Sequence, residues 1–354
     1  MSQIEVIDAD GHVMEPEAAW REHLDAPFHD DAPRVVVDNQ GRHRHLIAGE
    51  LEAPIPAPAE GWPVIAGGHD AKLRLADMDR QGIQQSLLFP TVGLYFPGLA
   101  QGPAQIALCR AYNDWLYDFR SADRQRLLGV AVVPQGDIAE SVAEARRAVR
   151  ELGCRGVMLR PNPIAGRNLD DPAYTPLWEC LEELNVPAAI HEGTTQDLPQ
   201  SGRDRFDNFL YRHVCSHPHE QQMACLALTC GGVLERHPGL RVIFLESGCG
   251  WIAHWLERLD EHVESWGHAS APMARKPSEI FARQCFISAD PAEKSLPAML
   301  SLLGDENIVF ASDYPHPDAL TEGIVEAVSS RPELSPQNVR RVLRDNAARC
   351  FALD

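Results

Sequence analysis

The chain has 354 residues, of which 44% are hydrophobic and 23% charged, and its formal net charge is -19. This composition is typical of a folded globular protein and excludes an intrinsically disordered chain. The acidic balance argues against binding to nucleic acid, because phosphates require a basic surface.

The N-terminal segment is an apolar run that ends in two possible metal ligands. Ile4, Val6 and Ile7 predict a buried strand, after which Asp10 and His12 lie two residues apart and point to the same side. A carboxylate and an imidazole aimed at one point can bind a divalent cation. A turn with a capping aspartate is the alternative explanation of this motif.

Residues 13–83 predict a long insertion after the first strand. A hairpin is expected over 34–47, with its turn at 39–41. The segment 53–68 is rich in proline and alanine and follows neither the helical nor the strand period. We therefore expect a loop there that could act as a lid.

Strands and helices alternate regularly from residue 84 onward. Apolar strands are predicted at 84–89, 127–133, 155–159, 186–191, 240–245, 285–288 and 307–311. Helices are expected between them, with a helical insertion over 199–237 before the sixth strand. Eight near-continuous apolar strands predict an α/β protein with a closed (β/α)8 TIM barrel. The rival, an open doubly wound sheet, would need a glycine-rich phosphate loop after the first strand. No repeat or linker divides the chain, so residues 1–354 are expected to form one domain.

Polar side chains lie at the carboxyl ends of several predicted strands. Asp10 and His12 end the first strand, His191 the fifth, Glu246 the sixth and Asp313 the eighth. These strand ends converge at one face of a TIM barrel, so the geometry predicts one ligand set.

At these residues the chain resembles the amidohydrolase superfamily, in the branch that contains aminocarboxymuconate-semialdehyde decarboxylase and aromatic-acid decarboxylases. The matching stretches are 7–12 with 15–16, 189–191, 237–244 and 310–316, and they span nearly the whole barrel. The resemblance implies a single divalent metal held by Asp10, His12, His191 and Asp313. The usual first-strand motif of the family is His-x-His, and here a carboxylate replaces the first histidine.

The expected ligands also limit the choice of metal. Two carboxylates and two neutral imidazoles balance a charge of 2+, and such a set admits zinc, manganese or iron. We expect zinc, with manganese second. Binuclear relatives carry a bridging residue on the fourth strand, where this chain has Met158-Leu159-Arg160, so one metal is predicted.

Further residues are candidates for catalysis and substrate binding. His217 and His219, in the helical insertion, could reach over the metal, or could be polar residues at a helix N-terminus. Arg160 could bind a substrate carboxylate through two parallel hydrogen bonds, or pair with an acidic residue. His316 is expected to orient Asp313 and to contact the substrate. Glu246 stands where the decarboxylases usually have a catalytic histidine, and it could donate a proton only if burial raises its pKa.

The first functional hypothesis is nonoxidative decarboxylation of a small aromatic or unsaturated carboxylic acid. The metal would stabilise the negative charge as carbon dioxide leaves, and Asp313 or a nearby histidine would protonate carbon. The second is hydrolysis of an amide, lactone or related bond, with Asp313 taking a proton from water activated at the metal. Oxygen chemistry at iron(II) and a non-catalytic barrel are further alternatives.

The remaining expectations concern partners and location. No apolar run is long enough to span a membrane and no signal peptide is visible, which predicts a cytoplasmic protein without membrane contact. The nine cysteines contain no CxxC pair and are expected to be reduced. Relatives of this branch are often dimers, so the resemblance implies a homodimer that acts on a small molecule.

Overall fold

The chain begins with strand β1 (Val6–His12), which an insertion separates from the second barrel strand. The computed structural model describes residues 4–55, 65–193, 198–270 and 273–353. The insertion contains helix α1 (Glu17–His23), a three-stranded antiparallel sheet and helix α2 (Ala71–Gln81). The sheet consists of β2 (Arg34–Val37), β3 (His43–Ile47) and β4 (Glu50–Pro54), in that order. β2 and β3 pair antiparallel as the predicted hairpin, whereas the sequence pattern predicts neither β4 nor α2.

Helix α2 has clear local signals at both ends. The Asp70 side chain accepts hydrogen bonds from the backbone N–H groups of Lys72 and Leu73, at 2.8 and 3.0 Å. Gly82, with φ of 77°, ends the helix in the left-handed conformation. The nine residues 56–64 of the expected lid loop lie outside the described residues.

The eight barrel strands are all parallel and confirm the predicted (β/α)8 TIM barrel. After β1 they are β5 (Ile83–Phe89), β6 (Leu127–Val132), β7 (Gly156–Leu159), β8 (Ala188–Ile190), β9 (Val242–Phe244), β10 (Cys285–Ala289) and β11 (Ile308–Phe310), hydrogen-bonded in this order. All but β5 are buried at every position, as expected for strands covered by helices outside and by side chains inside the barrel.

The barrel closes between β1 and the segment that follows β11. The His12 N–H donates to the Tyr314 carbonyl at 2.7 Å, and the Asp313 N–H donates to the Asp10 carbonyl at 2.8 Å. These two bonds place the end of the first strand directly beside the end of the last. The predicted ligands on these two strands are therefore neighbours.

Helices cover the outside of the barrel. They are α3 (Pro103–Phe119), α4 (Ile138–Arg150), α5 (Thr175–Leu184), α6 (Phe209–Cys230), α7 (Val233–Arg236), α8 (Ile252–Ser270), α9 (Pro277–Gln284), α10 (Leu296–Leu303), α11 (Glu326–Ser329), α12 (Pro336–Arg340) and α13 (Asn346–Phe351). Helices α6 and α7 occupy the insertion expected before the sixth strand. Within the described ranges, no helix has the length and apolar character needed to cross a membrane.

Candidate metal centre

Asp10, His12, His191 and Asp313 converge at the carboxyl end of the barrel. The Nε2 atom of His12 lies 3.4 Å from Asp10 Oδ1 and 3.4 Å from Asp313 Oδ1. The Nε2 atom of His191 lies 3.6 Å from Asp10 Oδ1 and 3.2 Å from His12 Nε2. Asp10, His12 and His191 thus form one group of possible metal ligands, and His12 also belongs to a second group that contains Asp313.

Backbone carbonyl groups determine which nitrogen of each histidine can bind a cation. His12 Nδ1 lies 2.7 Å from the Pro90 carbonyl oxygen, and His191 Nδ1 lies 2.7 Å from the Glu192 carbonyl oxygen. Because a carbonyl oxygen only accepts, each Nδ1 carries the hydrogen, and each neutral ring has its lone pair on Nε2. Two lone pairs that face each other at 3.2 Å require a positive species between them.

Several carboxylate oxygens of this cluster are buried without a hydrogen-bond partner. They are both oxygens of Asp10 and Oε2 of Glu246. Such atoms are costly inside a protein unless a donor or a cation satisfies them. Together with the two Nε2 lone pairs, they form a donor set that fits a divalent metal ion.

Protons compete with a cation at this centre. Burial would lower the pKa of His191, but the charge of Asp10 outweighs burial and raises it to about 9. Burial would raise the pKa of Asp10, but His191 and His12 hold it below its ordinary value. Asp10 therefore remains ionised and His191 holds a proton that a metal must displace.

Glu246 and Asp313 have unusual backbone conformations. Their φ angles are 49° and 53°, in the left-handed region that non-glycine residues rarely adopt. Glu246 lies two residues after the end of β9, and Asp313 lies three residues after the end of β11. Residues in this region cluster at functional sites, where the surrounding structure maintains the strain.

Glu246 lies between two groups of histidines. Its Oε2 atom is 3.1 Å from His191 Nε2, and its Oε1 atom is 3.3 Å from His217 Nε2. Burial, and then the negative charge of Asp313, raise the pKa of Glu246 well above its ordinary value. A cation beside this carboxyl group would act in the opposite direction.

His316 contacts Asp313 and His12. Its Nδ1 atom lies 2.7 Å from Asp313 Oδ1, and its ring stacks on that of His12 with centroids 4.0 Å apart. Burial would lower the pKa of His316, but the charge of Asp313 raises it to about 10. Burial would raise the pKa of Asp313, but His316 outweighs it and the pKa lies below its usual value. These contacts support the expected role of His316 in orienting Asp313.

Helix α6 contributes His213 and His217 to the site, whereas His219 lies elsewhere. The His217 side chain is buried beside Glu246, and the ring of His213 stacks on it with centroids 4.0 Å apart. The His219 side chain is exposed. Two residues along a helix rotate a side chain by roughly 200°, so His217 and His219 cannot face the same site. This corrects the prediction for His219, and the spacing of four residues from His217 could have identified His213.

The structure also corrects the role expected for Arg160. Its side chain is fully buried, and its Nη2 atom lies 2.8 Å from Glu192 Oε1. The guanidinium also donates to Asn162 Oδ1 from Nε and Nη2, at 3.1 and 2.9 Å, and from Nη1 to the Leu94 carbonyl at 3.3 Å. Arg160 is thus the partner of a buried acidic residue, the alternative that the sequence left open, and is closed to a substrate carboxylate.

A cavity of about 540 Å³ opens above the centre. Its lining residues are His213, Val214, His217, Pro218, Glu246, Ser247, Gly248, Asp290, Pro291, Ala292, Glu293, Ser312, Asp313, Asp318, Ala319 and Leu320. The volume suits a small organic molecule. His316 and Arg160 are absent from this wall.

A buried ion pair beneath the centre involves Arg74 from helix α2. Its Nη1 atom donates to the carbonyl oxygens of His12 and Tyr314, at 2.8 and 3.3 Å. Its Nη2 atom lies 3.9 Å from Asp8 Oδ2 and donates to Ser86 Oγ at 3.0 Å. The guanidinium therefore holds together, at the seam of the barrel, the two segments that carry the expected ligands His12 and Asp313.

Asp8 and Gly11 also hold the Arg74 guanidinium and the seam of the barrel in place. Asp8 accepts from Ser86 Oγ at 2.9 Å and from the backbone N–H and Oγ of Ser312 at 2.9 and 2.8 Å. A Cβ atom on Gly11 would collide with Arg74 Nη2 and would lie 2.6 Å from Asp8 Oδ2. Glycine at position 11 is what allows the guanidinium to approach the strand.

Sequence comparison identifies relatives along nearly the whole chain. A family model described as "Amidohydrolase" matches residues 7–353. A 2-amino-3-carboxymuconate-6-semialdehyde decarboxylase of Dictyostelium discoideum is 25% identical over 288 residues, which cover 80% of this chain and 77% of the relative. A gamma-resorcylate decarboxylase of Rhodococcus jostii is 28% identical over 303 residues, which cover 80% of this chain and 88% of the relative.

Solved structures share the fold. An amidohydrolase from Mycobacterium avium subsp. paratuberculosis superimposes with a TM-score of 0.80 at 23% identity, covering 99% of this chain and 100% of that chain. A dihydroxybenzoic acid decarboxylase from Polaromonas, solved with bound manganese and an inhibitor, superimposes with a TM-score of 0.74 at 20% identity, covering 99% of this chain and 97% of that chain. These similarities extend over the complete barrel.

Proposed function

The chain belongs to the amidohydrolase family, and on that basis we propose that it is a metal-dependent nonoxidative decarboxylase of a small aromatic or unsaturated carboxylic acid. The observation that carries the proposal is the set of Asp10, His12, His191 and Asp313, in which Asp313 lines a cavity of about 540 Å³ and both oxygens of Asp10 are buried without a hydrogen-bond partner. Relatives named as decarboxylases support the choice of reaction.

The four residues would hold one divalent cation. When bound, the cation supplies a Lewis acid that stabilises negative charge on the substrate as the bond to the carboxylate breaks. Zinc is expected from the donor set, and manganese is the alternative because a structural neighbour binds it. Pro90 and Glu192 fix the tautomers of the two histidines, so both rings present Nε2 to the same point.

Asp313 and His316 are the groups that would deliver a proton to carbon. Asp313 lines the cavity, whereas His316 lies behind it, with its Nδ1 atom 2.7 Å from Asp313 Oδ1. The raised pKa of His316, about 10, keeps a proton at this pair at neutral pH. The proton would pass from His316 Nδ1 to Asp313, and from Asp313 to the carbon that loses carbon dioxide.

Hydrolysis of a neutral amide or lactone is the second candidate. The cavity wall favours it, because no lysine or arginine occurs among the lining residues of the described chain to attract a carboxylate. In that reaction Asp313 would accept a proton from the attacking water instead of donating one. Glu246, whose pKa is raised by burial and by Asp313, would be the acid for the leaving group.

Two measurements on the purified protein test the proposal. Elemental analysis without added metal should give zinc or manganese, and a mass-spectrometric screen of aromatic carboxylic acids should detect loss of carbon dioxide. Gain of water by amides or lactones would support hydrolysis instead. Iron, with consumption of oxygen, would support oxygen chemistry. A protein that neither contains nor takes up metal would refute the proposed centre.

We also propose a cytoplasmic homodimer. All nine cysteines are free thiols, which supports a reducing compartment. Leu210, Tyr211 and Val214 on α6 are 62%, 55% and 62% exposed, and a second copy would cover such apolar side chains. Light scattering should give twice the chain mass of 39.2 kDa, and a value equal to one chain would refute the dimer.

A further inference from the structure

The cavity wall contains many acidic groups. Glu246, Asp290, Glu293, Asp313 and Asp318 line it, and its only nitrogen-bearing side chains in the described part of the chain are two histidines. A divalent cation held by Asp10 and Asp313 would already be neutralised by these two carboxylates. A negatively charged substrate would then meet an uncompensated negative wall, so it needs a further positive group.

A second group of possible metal ligands lies on the same wall. It consists of His213, His217 and Glu246, and one ligand atom from each lies within 4.8 Å of the others. The two histidines are four residues apart on α6 and therefore occupy one face of the helix. A histidine pair at this spacing, with a carboxylate from another element, is a frequent arrangement in metal sites.

The hydrogen bonds of His217 leave a lone pair directed at Glu246. His217 Nδ1 lies 3.1 Å from the carbonyl oxygen of His213, which can only accept, so Nδ1 carries the hydrogen. The lone pair on Nε2 faces Glu246 Oε1 at 3.3 Å. A proton on Glu246 would satisfy this pair without any need for His213. A cation would use all three ligands and would keep its remaining positions open to the cavity.

Glu246 also reaches the first centre. Its Oε2 atom is 3.1 Å from His191 Nε2 and has no hydrogen-bond partner, while its Oε1 atom faces His217. A carboxylate with one oxygen in each of two ligand groups is suited to bridge two cations, as carboxylates do in two-metal enzymes. The left-handed backbone at Glu246, with φ of 49°, holds the side chain in this position.

We propose that His213, His217 and Glu246 form a second divalent-cation site, which Glu246 bridges to the first, and that the second cation binds an anionic oxygen of the substrate. The role in substrate binding rests on the proposed decarboxylation, whereas the existence of the site does not. The sequence predicts one metal because the fourth strand lacks a bridging residue. In this chain the bridge comes from the sixth strand instead.

The test is the number of Mn²⁺ ions bound per chain. The full-length protein is stripped with a chelator and titrated with Mn²⁺, and free Mn²⁺ is followed by electron paramagnetic resonance. We expect two equivalents, with a spin-coupled signal when both are bound. His213→Gln should lose the second equivalent and the coupled signal and retain the first equivalent. His219→Gln, on the exposed face of the same helix, is the matched control and should bind two.

Saturation of the wild-type protein at one equivalent would overturn the second site, and would indicate a proton between Glu246 and His217. A second equivalent that persists in His213→Gln would also overturn the assignment. His213 is only half-buried, so this variant tests the site even if changes at the buried His217 prevent folding.

The same protein separates this inference from the proposed function. Two bound ions without decarboxylation of any acid would support the site and refute the reaction. Decarboxylation with one bound ion would support the reaction and refute the site. If both hold, His213→Gln should raise the KM for the acid at least tenfold, and His219→Gln should leave KM unchanged.

Discussion

Replacement of Arg74 by methionine should destabilise the protein by roughly 3–5 kcal/mol, because it leaves a buried carboxylate without its charge partner. Arg74 and Asp8 have side chains that are 2% and 1% exposed, and their closest charged atoms are 3.9 Å apart. Methionine keeps most of the side-chain volume. The loss should therefore come from charge and hydrogen bonding and not from a cavity.

The hydrogen bonds of Arg74 determine how large the destabilisation should be. The guanidinium donates to the carbonyl oxygens of His12 and Tyr314. The Tyr314 carbonyl still accepts from the His12 N–H in the variant, so the loss falls on the His12 carbonyl, at about 1–3 kcal/mol for a buried acceptor that loses its donor. Asp8 retains its hydrogen bonds from Ser86 and Ser312. The total loss of stability should therefore stay within the range expected when one buried ion pair is broken. Because these carbonyls belong to the segments that carry the proposed ligands, metal affinity should also fall by about 10–100-fold.

The pH dependence of the stability of Arg74→Met gives a second test of the same reasoning. Burial raises the pKa of Asp8 above its ordinary value, and Arg74 is the largest influence in the opposite direction. Without Arg74 the folded-state pKa of Asp8 rises further, so the folded variant binds a proton more tightly than the unfolded chain. Lower pH therefore favours the folded state of the variant. The difference in free energy of unfolding between wild type and Arg74→Met should be largest at pH 8 and smaller at pH 5.

Urea unfolding followed by circular dichroism, on chelator-treated protein, measures the loss without a contribution from metal. Asp8→Asn combined with Arg74→Met should recover part of the stability, because it removes the uncompensated charge. Arg80→Met is the matched control on the same helix, since Arg80 is 58% exposed and pairs with Asp77 at the surface. This variant should lose little stability, because an ion pair at the surface is screened by solvent. A loss below about 1 kcal/mol in Arg74→Met, or an equal loss in Arg80→Met, would refute the reasoning.

Three further outcomes are expected. Asp313→Asn should fold normally and lose most turnover, because an amide cannot carry the transferred proton, and an undiminished rate would exclude Asp313 from proton transfer. His191→Ala should lower the metal content measured after dialysis, whereas His219→Ala should not, and full metal content in His191→Ala would refute its assignment as a ligand. Because His191 has a pKa of about 9, the affinity for Zn²⁺ should fall by about tenfold per unit as pH decreases from 8 to 6, and a pH-independent affinity in competition titrations would contradict the competing proton.

The ends of the barrel strands could be predicted from sequence because local rules govern them. Near-continuous apolar runs mark strands covered on both sides, and the polar residue that ends such a run must emerge at the rim. This rule locates five polar residues from the sequence: Asp10, His12, His191, Glu246 and Asp313. Burial of the strands then brings the five side chains together without any further information.

The contacts that the sequence did not predict depend on distant partners. The pairing of Arg160 with Glu192 and of Arg74 with Asp8 requires knowledge of which elements are adjacent. Helix α2 was missed for a related reason, since a buried arginine interrupts its apolar face and weakens the helical pattern. The sequence pattern pairs His217 with His219 because it does not show that α6 begins before His217. In the structure His213 precedes His217 by four residues on the same helix and therefore faces the same side.

Closure of the barrel has a consequence for biosynthesis. The contacts at the seam join Asp8 to Ser312, which are 304 residues apart, and the proposed metal ligands Asp10 and Asp313 lie beside them. A nascent chain on the ribosome therefore contains at most part of the donor set until its last strand has emerged. Metal loading should be a late, post-translational event, and a chain truncated before β11 should bind the metal more weakly, because it lacks Asp313.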